Sequence, residues 1–337
     1  MYYVGIDVGG MSLKAGLIDR EGNILKKMSV KTIAGREGKL IVEDLAKLIK
    51  DIIKEAGIKE TEVGGVGMGF PGSVWDEKGI VRYCCNINLV NIPMVKLLKD
   101  NGINYPIYIS NDANCAVLGE AYFGAAKGAK NVVLITLGTG LGTGILVDGR
   151  LLTGNKSAGS ECGHMQINFT GPTCGCGKKG HYEAYASATA LLRQAKAACE
   201  KHPESLMNEE FKKKGCEGYV IFECAKAGDE TAKKVVAKYI KYVGMGAVSL
   251  CNIFFPEYFL VGGGIANNTE IIAPLQRYIS RNIYGSKYNP KIKVLPAKQL
   301  NDAGIIGAAC LATCPVLSAI LSKDPPLYRR SMVVSST

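Results

Sequence analysis

The chain is short of several features whose absence narrows its reading. No run of 18 or more apolar residues occurs, so a membrane span is not expected. The opening residues lack the basic segment, apolar run and small-residue cleavage site of a secretory signal. Aromatic residues make up 7%, with one tryptophan, and no basic stretch is interleaved with them. A base-stacking nucleic-acid surface is therefore not expected. An N-terminal DNA-reading domain ahead of Tyr2 is not expected. Neither a Gly-Lys-Ser/Thr P-loop nor a dinucleotide fingerprint in its strand–helix context is present. Glycine follows no repeating period, which excludes a collagen-like chain. The twelve cysteines do not form a disulfide scaffold. Most stand alone among apolar neighbours, as Cys115, Cys251 and Cys310 do, which fits reduced thiols and a cytoplasmic location.

What is present points to a large globular enzyme. At 337 residues the chain exceeds the length at which one core usually stops growing, so two domains or two lobes are expected. Its net charge of +11 is spread along helical segments such as Lys226 to Lys241. That pattern reads as a solvated basic surface, which also favours anionic nucleotides and phosphosugars. Glycine, at 41 residues, is concentrated in short clusters, each a place for a tight turn or a close ligand.

The fold class is α/β. YYVGIDVGG and the following LKAGLIDREGNILKKMSV read as strand, turn, strand, turn, strand. Leu40 to Ala56 has helical spacing, and Tyr105 to Ile109 is a strand that delivers Ser110, Asn111 and Asp112 at its end. The segment Ala113 to Phe123 is helical in character. From Asn131 the opening pattern returns in NVVLITLGTGLGTGILVDGRLL, an internal echo that implies two related lobes. Further helices are expected at Ser187 to Cys199, Glu209 to Lys213, Ile221 to Ala227, Glu230 to Phe254 and Gly304 to Thr313. Strands are expected at Tyr258 to Val261 and Ile292 to Pro296. The tail from Asp324 is expected at an edge.

Three glycine clusters follow strand patterns: Asp7 to Gly10, Gly138 to Gly144, and Gly262 to Gly264. Together they suit a phosphate cradle spread over two lobes, with plain hairpin turns as the alternative. Asp7 then stands where a carboxylate holds Mg²⁺ or its waters. Asp112 is the foremost catalytic carboxylate, because a hydroxyl nucleophile must lose a proton during phosphoryl transfer. Asn111 beside it suits a neighbouring hydroxyl. The competing reading makes Ser110 and Asp112 caps of the following helix.

The most specific stretch is ECGHMQINFTGPTCGCGKKGHYE. It places His164, Cys174, Cys176 and His181 within reach of one closed tetrahedral Zn²⁺ site, with Cys162 as a competing ligand. Glu161 and Glu183 flank this loop as acceptors for a polyol or sugar. His202 has no such company.

On these residues the chain resembles the ROK family of repressors, open reading frames and kinases. The resemblance runs through DVGG at Asp7, GFPG at Gly69, SNDANCAVLGEAYFGAAKG at Ser110 and LGTGLGTGILVDG at Leu137. It continues through AGSECGH at Ala158, CGCGKKGHYE at Cys174, FECAKAGDETA at Phe222 and NIFFPEYFLVGGGI at Asn252. It implies an actin-like ATPase fold of two ribonuclease H-like lobes around a cleft. Residues 1–115 form the small lobe, joined by a C-terminal helix over 301–320, and residues 116–300 form the large one. The implied activity is transfer of the γ-phosphoryl group of ATP to the 6-hydroxyl of a hexose, glucose first, with Asp112 as general base. Mannose, fructose, allose and N-acetylated hexosamines are the alternatives, and a sugar sensor is the non-enzyme one. Gly72, Asn111, Asp112, Glu161, His164 and Glu183 are implied at the sugar, the Glu161–His164 motif favouring glucose. Asp7, Gly9, Gly10, Ser12, Gly138, Thr139, Gly140 and Gly262 to Gly264 are implied at the nucleotide, and a homodimer is implied as the assembly. Two departures stand out: Met11 where the family has threonine, with Ser12 the nearest hydroxyl, and His181 where it has a third cysteine.

Overall fold

The computed structural model describes residues 1–33, 35–84, 87–299 and 302–313. The chain opens with β1 (Tyr2–Val8), β2 (Ser12–Ile18) and β3 (Ile24–Lys31), then α1 (Gly38–Glu55) and β4 (Val63–Phe70). A short excursion, β5 (Ser73–Trp75), β6 (Ile80–Cys84), β7 (Leu89–Ile92) and α2 (Met94–Asp100), leads into β8 (Ile107–Asn111) and α3 (Asp112–Phe123). The second half begins with β9 (Val132–Leu137), β10 (Leu141–Val147) and β11 (Arg150–Leu151). There follow α4 (Glu183–Ala186), α5 (Ala188–Lys201), α6 (Leu206–Lys214), α7 (Gly218–Lys226) and α8 (Glu230–Phe254). The last elements are β12 (Tyr258–Gly262), α9 (Ile272–Asn282), β13 (Lys293–Pro296) and α10 (Ala303–Thr313).

Two five-stranded sheets share one plan. The first runs β3-β2-β1-β4-β8 and the second β11-β10-β9-β12-β13. In each, the opening three strands form antiparallel pairs and the last two join in parallel. The hairpins need only tight turns, whereas each parallel partner needs a crossover, which is where the helices lie. The echo between residues 1–30 and 131–151 is thus two copies of the same β-hairpin opening. A small antiparallel sheet, β5-β6-β7, follows β4 and was not anticipated from the sequence; α9 was not either.

Helix periodicity explains the packing on each sheet. In α1, Ile41, Leu45, Leu48, Ile49 and Ile52 fall on one buried stripe that covers the first sheet. Each such side chain contributes about 1.5–3 kcal/mol by leaving water. In α8, Val235, Tyr239, Val243, Ala247 and Leu250 do the same for the second sheet.

Between the sheets, α3 and α10 are apolar on nearly every side and buried accordingly. A third cluster, containing Cys115, Val117, Leu118, Ile306 and Leu311, unites them with Leu134 and Leu260 of the second sheet. Glycine permits this crossing. A Cβ on Gly307 would strike the Cys115 carbonyl, and one on Gly67 would strike the Ala308 carbonyl. Of the helix expected over 301–320, residues Ala303–Thr313 are helical; residues 301 and 314–320, like the tail from Asp324, lie outside the described residues. Among the described residues no helix is long and apolar enough to cross a membrane.

Candidate functional site

The junction of β8 and α3 builds the centre of the cleft. The strand runs two residues past its expected end, pairing Asn111 with Phe70, so Ser110 and Asn111 are fixed by the sheet. The capping residue is Asn111, in place of Ser110 or Asp112. Its side-chain oxygen accepts from the backbone N–H of Ala113 at 2.9 Å and, more weakly, of Asn114 at 3.4 Å. Its amide donates to the Gly72 carbonyl at 3.1 Å. Ser110 is buried, with its hydroxyl against the Asn114 side chain at 3.4 Å. Asp112, relieved of the capping role, opens α3, and one of its carboxylate oxygens accepts from the Ala113 N–H at 2.8 Å.

Electrostatics single out the same residue. Burial, the nearby charge of Asp7 and, more weakly, that of Glu161 push the Asp112 carboxyl up to about 7, against the opposing Ala113 N–H. A base with that affinity for a proton is matched to work near neutrality. Asp7, at the end of β1, is also raised by burial, with Lys14 offsetting part of the shift. Glu161 is raised by burial first and then by Glu183, while His164 lowers it. Gly72, Asn111 and Glu161 line one cavity together with Asp76, Thr143 and Ser157.

The glycine clusters occupy equivalent places in the two sheets. Gly9, Gly10 and Met11 form the β1–β2 turn, closed by Gly9 N–H to the Ser12 carbonyl at 3.0 Å. Gly138, Thr139 and Gly140 form the β9–β10 turn, closed by Gly138 N–H to the Gly140 carbonyl at 3.0 Å. Gly262 ends β12 and is buried, whereas Gly263 and Gly264 emerge from it exposed. A Cβ would meet open space at Gly138 and Gly264 but would strike the Glu183 carboxylate at Gly140. Met11, where a hydroxyl was missed, is 87% exposed and takes no part in packing. In the same cluster Gly142 and Gly144 serve packing, since they admit Ala113 of α3 against β10.

The Cys/His loop closes on itself. One donor atom from each of His164, Cys174, Cys176 and His181 lies within 4.8 Å of the others. Bond lengths of about 2.0–2.3 Å place tetrahedral zinc donors roughly 3.3–3.8 Å apart, so a small contraction would seat the ion. Cys174 Sγ already lies 3.7 Å from His164 Nδ1, and Cys176 Sγ 3.2 Å from His181 Nδ1. Burial, together with Glu183, pushes the Cys174 thiol up to about 12, so a thiolate there calls for a cation. Cys162 stands outside the group; its N–H donates to the Thr143 hydroxyl. Glu183 ties this loop to the second hairpin, accepting from the Leu141 N–H at 2.9 Å and contacting Cys174 Sγ at 3.1 Å.

Thr143 was not foreseen. Its hydroxyl donates to the Ser160 carbonyl while accepting from the Cys162 N–H, which clamps both neighbours of Glu161 to β10. Its only trace in the sequence is a polar residue within an apolar strand pattern.

Comparison with known proteins agrees with this arrangement. The profile of the ROK family matches residues 3–314. A glucokinase of Thermotoga maritima is 36% identical over 315 residues, covering 91% of this chain and 96% of its own. A glucokinase of Streptomyces coelicolor is 34% identical over 317 residues, covering 93% and 98%. Among solved structures, the ROK family glucokinase from Streptomyces griseus in complex with glucose and AMPPNP superposes with a TM-score of 0.79 at 33% identity, over 93% of this chain and 99% of that one.

Proposed function

The chain belongs to the ROK family, and on that premise we propose that it is an ATP-dependent glucokinase, phosphorylating the 6-hydroxyl of glucose. The observation that carries this reading is Asp112, a carboxylate with its proton affinity raised to about 7, next in the chain to Ser110 and Asn111 of the polar cavity. Relatives that act on glucose cover nearly the whole chain, and one of them holds glucose and an ATP analogue together.

In the proposed reaction glucose lies against Gly72, Asn111, Glu161, His164 and Glu183. The Asp112 carboxylate accepts a hydrogen bond from the 6-hydroxyl, orients its oxygen and takes its proton as that oxygen bonds to the γ-phosphorus. The bond from phosphorus to the β–γ bridging oxygen breaks, and ADP leaves with that electron pair. The glycine loops at Gly9, Gly10 and Ser12, at Gly138, Thr139 and Gly140, and at Gly262 to Gly264 receive the nucleotide phosphates. Asp7 is a buried carboxylate with only Lys14 offsetting it, which fits a role beside Mg²⁺ carried in with the nucleotide. Mg²⁺ there would neutralise charge on the phosphate oxygens.

His164, Cys174, Cys176 and His181 would hold zinc, which would fix the His164 ring and the Glu183 carboxylate beside the sugar. Residues 1–115 with the C-terminal helix, and residues 116–300, form the two lobes in this reading, and closing them keeps water from the phosphoryl group. A cytoplasmic homodimer completes it.

The test is ADP release with Mg-ATP and a panel of glucose, mannose, fructose, allose and N-acetylated hexosamines, with the phosphorylated carbon identified. Glucose turned over best at carbon 6 supports the reading. Preference for another sugar corrects the substrate, and binding without turnover overturns the kinase.

A further inference from the structure

Trp75, the single tryptophan of the chain, sits at the end of β5 on the first-lobe side of the cleft. Two cations flank its ring. Arg82, from the neighbouring strand β6, places its guanidinium carbon 4.7 Å from the ring centroid. Lys156, from the second lobe, places its ammonium 5.3 Å from the same centroid. Both distances lie inside the range of cation–π attraction. The indole N–H, at the edge of the ring, and one guanidinium nitrogen of Arg82 are buried, so part of this contact is withdrawn from water.

The next residue in each segment repeats the crossing. The Ser157 hydroxyl donates to the Asp76 carboxylate, which also accepts the Glu77 N–H at 2.7 Å. Two successive pairs, Trp75–Lys156 and Asp76–Ser157, therefore join β5 to the segment that runs into Glu161. That segment is held in an uncommon backbone form. Lys156, Ser157 and Ser160, none of them glycine, have φ of 52°, 59° and 64°. Such left-handed residues persist only where their surroundings determine them. Here the second anchor is Ser160, whose hydroxyl donates to the Leu152 carbonyl and whose own carbonyl accepts from Thr143. The segment is pinned at one end to β10 and at the other to the opposite lobe.

We propose that Trp75 and Asp76 on one lobe and Lys156 and Ser157 on the other form a latch that holds the cleft shut and sets Glu161 over the sugar. The proposal rests on the kinase reading above. Lys156 and Asp76 are then positioning residues that act through Glu161. Opening the latch lowers the fraction of molecules competent to hold sugar, and apparent affinity falls by that fraction. The reacting groups at Asp112 remain in place, so a saturating sugar restores the closed form. The signature is a rise in sugar KM with kcat nearly unchanged.

Because no second tryptophan contributes, emission from Trp75 reports the latch directly. The experiment titrates the full chain with glucose and follows Trp75 emission and its quenching by iodide. Calorimetry and steady-state kinetics are run on the same samples. The comparison set is the wild type, Lys156→Ala, Lys156→Arg and Asp76→Asn. Expected results are a glucose-dependent loss of iodide quenching in the wild type and a KM for glucose raised about three- to tenfold in Lys156→Ala and Asp76→Asn. Their kcat stays within about twofold, and Lys156→Arg regains the wild-type KM because a guanidinium also stacks on indole. Glucose turnover with Trp75 emission indifferent to glucose, or with KM unmoved in Lys156→Ala, overturns the latch alone. Absence of both glucose binding and turnover in the wild type overturns the latch together with the kinase reading.

Discussion

The side-chain amide of Asn111 donates to the carbonyl of Gly72 at 3.1 Å, while its oxygen caps α3. One residue thereby fixes the start of the helix that carries Asp112 and the loop that leaves β4. Gly72 cannot be larger, since a Cβ there would strike the Tyr83 carbonyl. Replacing Asn111 by Ala removes both bonds and should cost about 1–3 kcal/mol of stability. Asn111→Asp keeps the cap and should recover roughly the capping share, about 1 kcal/mol. Chemical denaturation of the two variants checks the order.

Asp112→Asn should retain glucose affinity within a few-fold by calorimetry. Turnover should fall by roughly a hundred- to ten-thousandfold, the usual contribution of a positioned base. A variant as active as the wild type would remove Asp112 from the mechanism.

The raised proton affinity of Asp112 has two consequences for pH. Only the ionised carboxylate acts as base, so kcat/KM should climb about tenfold per unit below an apparent pKa near 7 and level off above it. Stability should move oppositely. The folded state holds the Asp112 proton more tightly than the unfolded state does, from the ordinary 3.8 up to about 7. This stabilising contribution is whole below the lower value and is lost as pH rises through the higher one. Asp112→Asn removes the titration, so its melting temperature relative to wild type should increase from pH 5 to pH 8.

Elemental analysis should find about one zinc per chain. Cys174→Ala and His181→Ala should each weaken zinc binding by at least ten- to a hundredfold, the range already seen for residues that only support a ligand. Because Glu183 contacts Cys174 and holds Leu141, the loss should raise the glucose KM more than it lowers kcat. A metal-free chain with unaltered KM would refute a role for zinc at the sugar site.

Gly307→Ala tests the crossing of α3 and α10. The added methyl meets the Cys115 carbonyl, and overpacking of this kind costs about 1–3 kcal/mol or more. Thermal melting should show a drop of several degrees, in contrast to an Ala at Gly128, where a Cβ meets open space and the strain is confined to a left-handed φ of 83°.

Local chemistry made much of the molecule readable in advance. The helix expected over Glu230 to Phe254 is α8 with the same limits, because Asp229 caps it and its apolar stripe is long and regular. The two hairpin openings were legible from alternating apolar residues broken by glycine, and the cluster of four Cys and His donors from the spacing of scarce histidines among paired cysteines. The boundary of β8 was less readable, since the sheet partner Phe70 extends it to Asn111. The choice between capping and catalysis could not be read at all, because Ser110, Asn111 and Asp112 are all competent caps.

By itself, then, the sequence determined the elements whose cause lies within a few residues: hairpins, amphipathic helices, the closed Cys/His loop and the acid at the end of a strand. Tertiary structure alone decided which of three adjacent caps is used and which carboxylate gains a proton affinity near 7. It also decided that Thr143 clamps the Glu161 segment and that Lys156 meets Trp75. Each of these depends on groups far apart in the chain, and proton affinity, packing and cation–π attraction are set by distance in space and exclusion of water, which no local pattern encodes.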